Sequence, residues 1–304
     1  MSNSALNQKF DQIRAQEEAG ILTSKRGGRA LRKLLNNRLA VYGLVIFSII
    51  LLSSIFAPLL TQYDPAQIDL RSRLQTPSWD HLFGTDKLGR DVFSRVIYGG
   101  QVSILVGLGS AFLSAVIGVL IGCYAGYKGG WIDVIVLRIS EIFMAFPQII
   151  LVLLLVSIVG QSLLNLIIIF VISGWGAMAR LARARMLSLR EEEYVQALRS
   201  FGLSTAAICY KHILPNALGP IVVNITLTTA MFILAEAGLS FLGLGVPLNI
   251  PTWGNILNAA QDLQVLQNYW WLWLPVGATI SLFVLSVNFI GDGLRDSTDP
   301  TQQG

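Results

Sequence analysis

Between Ile142 and Ala179 the chain carries no charged residue. A helix on the surface of a soluble protein needs a polar face, and a run of this kind offers none. Crossing the hydrocarbon core takes about 20 predominantly apolar residues. The stretch is too long for one crossing, and Gly160-Gln161-Ser162 with Asn165 divides it in two around a tight turn. Residues 39–60 and Val96 through Tyr127 are likewise free of charge. Over the whole chain 53% of residues are hydrophobic and 13% charged, against roughly 25% charged in soluble domains. Together these runs predict an all-α membrane protein with about six transmembrane helices.

The expected spans are 39–60, 102–125, two within 142–179 with Phe146-Pro147 opening the first, then 218–239 and 269–290. The last opens on Tyr269, Trp270, Trp271 and Trp273, rings that favour the membrane–water interface. Between them lie a polar tail over 1–38, a mixed-charge segment over 61–101, a charged loop over 180–215, a more polar stretch over 246–268 and a short tail over 292–304. A cleavable signal peptide is not expected. The first 38 residues are largely polar, and the next apolar run exceeds the roughly 7–15 residues of a signal core. With the N-terminus in the cytosol, 17 of the 22 Lys and Arg fall on the inner side. The outer five, Arg71, Arg73, Lys87, Arg90 and Arg95, are accompanied by aspartates. Six spans with both termini inside satisfy the positive-inside rule.

The same pattern excludes other chemistry. The formal net charge of +4 comes from basic residues at the ends of apolar runs, which speaks against nucleic-acid binding. No G-x-x-x-x-G-K-[ST] occurs to cradle nucleotide phosphates, and no H-E-x-x-H or G-x-S-x-G is present. Cys123 and Cys209 lie far apart in sequence and read as small hydrophobes. The segment from His81 to Asp91 has no metal-site spacing and reads as a glycine-punctuated turn. Neither catalysis nor a bound metal is expected of this chain.

Ser110, Ser114, Gly118, Gly122 and Gly126 recur every fourth residue, a small-residue stripe on one helix face. In lipid such stripes let two backbones approach closely. Glu236 interrupts the fifth span. A carboxylate at membrane depth costs about 2.5–3.5 kcal/mol on insertion scales. It reads either as a group on a translocation path or as a paired or protonated carboxyl near the outer end of its helix.

Several segments carry a resemblance. His81-Leu82-Phe83-Gly84-Thr85-Asp86-Lys87-Leu88-Gly89-Arg90-Asp91 precedes the second span, and Phe241-Leu242-Gly243-Leu244-Gly245 ends the fifth. Trp253-Gly254 and Gly291-Asp292-Gly293-Leu294-Arg295-Asp296 follow in order. The inner loop reads Gln196-Ala197-Leu198, then Gly202, then His212-Ile213-Leu214-Pro215. This set resembles the C-type permease subunits of ATP-binding-cassette importers for dipeptides, oligopeptides and nickel. Gln196 and Leu198 stand where the family pattern has Glu and Ala. The resemblance implies the transmembrane fold of a type I importer in a bacterial cytoplasmic membrane. It implies a coupling loop containing Glu193, Gln196, Ala197, Gly202, His212, Leu214 and Pro215 that docks on an ATPase. It further implies a second homologous permease chain, two ATPase subunits holding ATP and Mg²⁺, and an extracytoplasmic binding protein that delivers a peptide. This chain would bind no cofactor itself. The rival reading is an ion- or proton-coupled secondary transporter with Glu236 as its coupling carboxylate, a class that often shows internal repeats and broken helices.

Overall fold

The computed structural model describes residues 32–298. The basic cluster Lys25, Arg26 and Arg29, most of the expected N-terminal tail, and residues 299–304 of the C-terminal tail lie outside the described residues. Every regular element among the described residues is helical, apart from one isolated antiparallel bridge between Thr85 and Asp91.

Helix α1, Arg38–Ile55, starts where the Asn37 side chain accepts from the Leu39 and Ala40 amides. It stops before Pro58, whose ring excludes the carbonyl four residues back, and a short helix Ala57–Leu60 follows. The expected span 39–60 is therefore two helices. Next come α2, Val92–Ile104, a π-helical segment Leu105–Gly109, and α3, Ser110–Lys128. They join into one 37-residue rod. The rod begins at Val92 rather than 102 because charge does not stop it there. Asp91 caps it, accepting from the Ser94 amide at 2.6 Å. Arg95 is buried with its guanidinium on the Pro65 carbonyl at 3.2 Å and 3.9 Å from Asp86.

The third crossing also differs from expectation. Helices α4, Gly130–Met144, and α5, Gln148–Val159, meet at an 86° bend. Phe146-Pro147 lies at that bend instead of opening a span. The cause is local: a residue before proline avoids the α region, and Pro147 has no N–H to donate. Helix α6, Leu163–Leu189, runs past the expected end at 179. Its Arg183 is paired, Nη2 to Asp133 Oδ2 at 2.6 Å and Nε to Asp133 Oδ1, so the first part of the charged loop is helix. A short α7, Glu193–Ser200, follows. A π-helical segment Ala207–Ile213 leads directly into α8, Leu214–Phe241. Short helices α9, Trp253–Leu257, and α10, Leu263–Asn268, lie in the next loop, and α11, Leu274–Thr298, extends well beyond the expected limit at 290. Trp271 departs from the interface role expected of it. It is buried in the core, against Gly84, where an added Cβ would meet its ring at 2.8 Å.

Glycine contacts fix the directions of the helices. A Cβ on Gly118 would meet the Trp175 carbonyl at 2.6 Å, one on Gly122 the Ala179 backbone, and one on Gly126 the Arg183 carbonyl at 2.9 Å. Each step of four along α3 matches a step of four in the same sense along α6, so the two helices run parallel. The chain between them must then return across the membrane once, which makes the bent pair α4–α5 a single crossing and brings the spans to six. By contrast α1 and α11 are antiparallel. Phe47 lies 5.3 Å from Phe283, Gly43 touches the Ser286 carbonyl, and Asn37 Nδ2 donates to Asp296 at 3.2 Å. Both ends of the described chain therefore share one side.

Replacing Gly122 tests the parallel seam. Gly122→Leu would force α3 away from α6 and should cost at least about 1–3 kcal/mol, the range of overpacked cores. Ile121→Leu, on the exposed side of the same turn, should leave the thermal midpoint of the detergent-solubilised protein unchanged. Equal midpoints for the two variants would refute the seam.

Candidate docking and coupling site

The segment from Arg190 to Pro215 folds as a hairpin of short helices on the end of α3. Arg190 Nη1 donates to the Gly126 carbonyl at 3.2 Å. Arg199 Nε donates to the Tyr127 hydroxyl at 2.8 Å, with its guanidinium 4.8 Å from that ring. On α7 only Val195 is fully buried, in a cluster with Met186, Ile208 and Ile213. Leu198 packs beside it. That inner edge leaves Glu193, Gln196, Ala197 and Ser200 exposed on the opposite face. The helix ends at Phe201-Gly202. Gly202 has φ +75°, a conformation that costs glycine nothing and other residues much more. An added Cβ there would meet nothing within 4 Å, so the requirement lies in the backbone and in whatever approaches from outside. Beside it Phe201 is 81% exposed at the tip of the hairpin.

The expected coupling residues therefore divide into two groups. Glu193, Gln196, Ala197 and Gly202 come together on the outward face. His212, Leu214 and Pro215 sit at the junction between the π-helical segment and α8. Pro215 is the second residue of α8, and because the helix runs on from the π-helical segment its missing N–H leaves a carbonyl of the preceding turn without that donor. Asn216 Nδ2 donates to the His212 carbonyl at 3.2 Å and reaches the Tyr194 hydroxyl at 3.5 Å, which ties this junction to α7. In the stretch Arg190-Glu191-Glu192-Glu193, Arg190 points inward, while Glu191 pairs with it at 2.9 Å. Phe201 was not singled out in the sequence. The available signal was a large aromatic side chain in an otherwise polar loop, immediately before a glycine.

Glu236 lies in the last turns of α8 and is fully enclosed. Ser103 donates to its Oε2 at 2.9 Å and Ser240 to its Oε1 at 2.8 Å. Ser103 in turn accepts from the Trp253 amide at 3.1 Å. Gly245 and Gly254 let the following loop fold onto Ser240. The carboxyl thus binds α2, α8 and the loop carrying Trp253-Gly254 into one knot.

Two aspartates of the segment before α2 are similarly occupied. Asp86 accepts from the Leu88 and Arg90 amides and from Arg90 Nε at 2.7 Å, and Asp91 pairs with His81 at 2.9 Å.

Residues 118–303 match the family described as the binding-protein-dependent transport system inner membrane component. Residues 26–77 match the N-terminal TM domain of oligopeptide transport permease C. The chain is 44% identical over 272 residues to a putative peptide permease protein of Brucella suis biovar 1, covering 90% of each chain. It is 43% identical to the dipeptide transport system permease protein DppC of Alkalihalophilus pseudofirmus, covering 89% of this chain and 88% of that one. To the oligopeptide transport system permease protein OppC of Bacillus subtilis it is 42% identical, with the same coverage. Among solved structures it is similar in fold to a chain of the inward-facing MetNI methionine ABC transporter. The TM-score is 0.54 at 22% identity, over 68% of this chain and 97% of that chain. The protein is a multi-pass, non-catalytic inner-membrane subunit that belongs to the binding-protein-dependent transport permeases, in the branch of C-type oligopeptide and dipeptide permeases.

Proposed function

We propose that this chain forms half of the translocation path of an ATP-driven importer that receives peptides from an extracytoplasmic binding protein. A second, related permease chain supplies the other half. Two ATPase subunits hold ATP and Mg²⁺ and dock from the cytosol, where both termini of this chain also lie. The observation that carries the reading is the hairpin tip. An exposed Phe201 beside a left-handed Gly202, on a base sealed by Val195, Arg190 and Arg199, is an anchor without a pocket in this chain. Aromatic anchors of this kind fill grooves on partners. When the ATPase pair closes, the hairpin moves with it, and the His212–Pro215 junction passes the movement into α8. The ion-coupled alternative is not favoured, since Glu236 is sealed in by two serines and a loop.

Gly202→Asp adds charge, bulk and local backbone strain at the tip, outside the membrane, so insertion and packing of the spans should survive. It should abolish peptide uptake and ligand-stimulated ATP hydrolysis in the assembled importer. Uptake at the parental level in cells with this variant as the only copy would sink the docking role.

Topology is open to labelling. A thiol from Ser204→Cys should react only after permeabilisation, and one from Trp79→Cys should react from outside. The reverse order would invert the orientation.

Glu236 separates the two transport classes. Glu236→Gln preserves size, keeps one serine hydrogen bond at its Oε1 and reverses the other, its Nε2 donating to the serine hydroxyl, and uptake should stay within about twofold of the parent. Glu236→Ala strands two buried hydroxyls and should cost about 1–3 kcal/mol for each unmet group. Full loss of uptake in a well-folded Glu236→Gln variant would favour ion coupling.

A further inference from the structure

The bend between α4 and α5, the middle of α6 and the middle of α8 meet at one place. A cavity of about 290 Å³ opens there, with Phe143, Phe146, Gln148, Ser173, Thr228 and Met231 among its walls. Non-helical backbone at membrane depth persists only where protein covers it or where it lines a cavity. Every lining residue is uncharged. The polar groups differ in one respect. Ser173 Oγ donates to the Phe170 carbonyl at 3.1 Å, and Thr228 Oγ1 lies 3.3 Å from Asn224 Oδ1. Gln148 Nε2 is buried and has no partner. Such a donor is destabilising unless an acceptor reaches it, so the arrangement calls for one from outside the chain. With no cation in the walls, the fitting acceptor is neutral. Phenylalanine and methionine around it suit side chains of varied shape, since methionine adapts to many surfaces.

We propose that this cavity is a station for the transported peptide, in which Gln148 Nε2 donates to a backbone carbonyl and Phe143, Phe146 and Met231 receive the adjoining side chain. Backbone carbonyls are common to all peptides, and the flexible walls leave the side chains unspecified. The proposal rests on the peptide-importer reading above and adds the place in this chain where the peptide is held.

The test uses the whole importer with its partner subunits. Gln148→Leu keeps the volume and removes the donor, and tri-alanine uptake should fall about three- to tenfold, the loss of one hydrogen bond. Ala177 lines the same cavity and is exposed, whereas Cys123 and Cys209 are buried. In a complex cleared of other accessible cysteines, Ala177→Cys can be modified after folding with thiosulfonates of increasing size. Uptake should fall as the attached group grows, and binding protein loaded with tri-alanine should slow the reaction several-fold. If the parent moves peptides while Gln148→Leu transports normally and a bulky group at position 177 has no effect, the cavity assignment alone fails. If the parent accepts another solute and no peptide, the importer reading fails and the proposal fails with it.

Discussion

Close backbone contact between α3 and α6 governs the rest of the molecule. Lipid tails are as apolar as leucine, so helices in a membrane gain little from hiding apolar side chains from each other. What holds them is dense packing and polar contact. Gly118, Gly122 and Gly126 let α3 lie directly on the backbone of α6, and Arg183 beside Gly126 pairs with Asp133 of α4. Two parallel helices this close require one return crossing between them. The bent pair supplies it, and its bend opens the cavity around Gln148. A regular straight helix in that position would close the space. The glycine seam, the proline bend and the cavity are thus linked by geometry.

Polar contacts also hold the end of the bundle that carries Glu236. Glu236, Ser103, Ser240 and the Trp253 amide form one closed set in a region where an unmatched group is expensive. Further out, Lys87 pairs with Asp262 and clips the segment before α2 to the loop before α11. The hydrogen bond from Lys87 holds the Asp262 carboxyl below its ordinary range. A lowered carboxylate stabilises above its unfolded value and loses that contribution as pH falls through the folded one. The clip therefore persists through mild acidification. Since both side chains are largely in water, it acts more to fix position than to add stability.

Much of the fold was legible in the sequence, because membrane crossing imposes length and polarity so strongly. The number of spans, the turn at Gly160-Gln161-Ser162 and the small-residue stripe could all be read from residue types alone. The ends of helices were less accessible. Charges at Arg95, Arg183 and Asp292 look like span limits in a linear reading, yet Arg95 and Arg183 are paired, and helices continue through all three positions. The third span was misplaced for a different reason: proline marks a break without saying whether it ends a crossing or bends one. In the segment expected to couple, the spacing marked residues that fall on two different parts of the hairpin. It did not separate the outward face of α7 from the His212–Pro215 junction, since that division depends on which side of α7 meets Tyr127 and Ile208. The cavity left no signal at all. Gln148 is an ordinary residue in sequence, and its unpaired amide appears only when the bend is seen.

Helix α8 connects the three regions that the proposed mechanism requires. Its first end continues unbroken from the π-helical segment of the hairpin, and its middle contributes Thr228 and Met231 to the cavity wall. Its last turns carry Glu236. A rod fixed at one end and pushed at the other moves most near the push and least near the pin. Pro220 adds a compliant point close to the push, because it leaves the carbonyl of Asn216 without its helical donor. A displacement of the hairpin is then taken up between Pro215 and the cavity, while the knot around Glu236 keeps the outer loop in place. On this geometry, loosening the knot should uncouple hairpin movement from the cavity even though Glu236 touches neither, so a carboxyl inside the membrane need carry no ion in order to be required for transport.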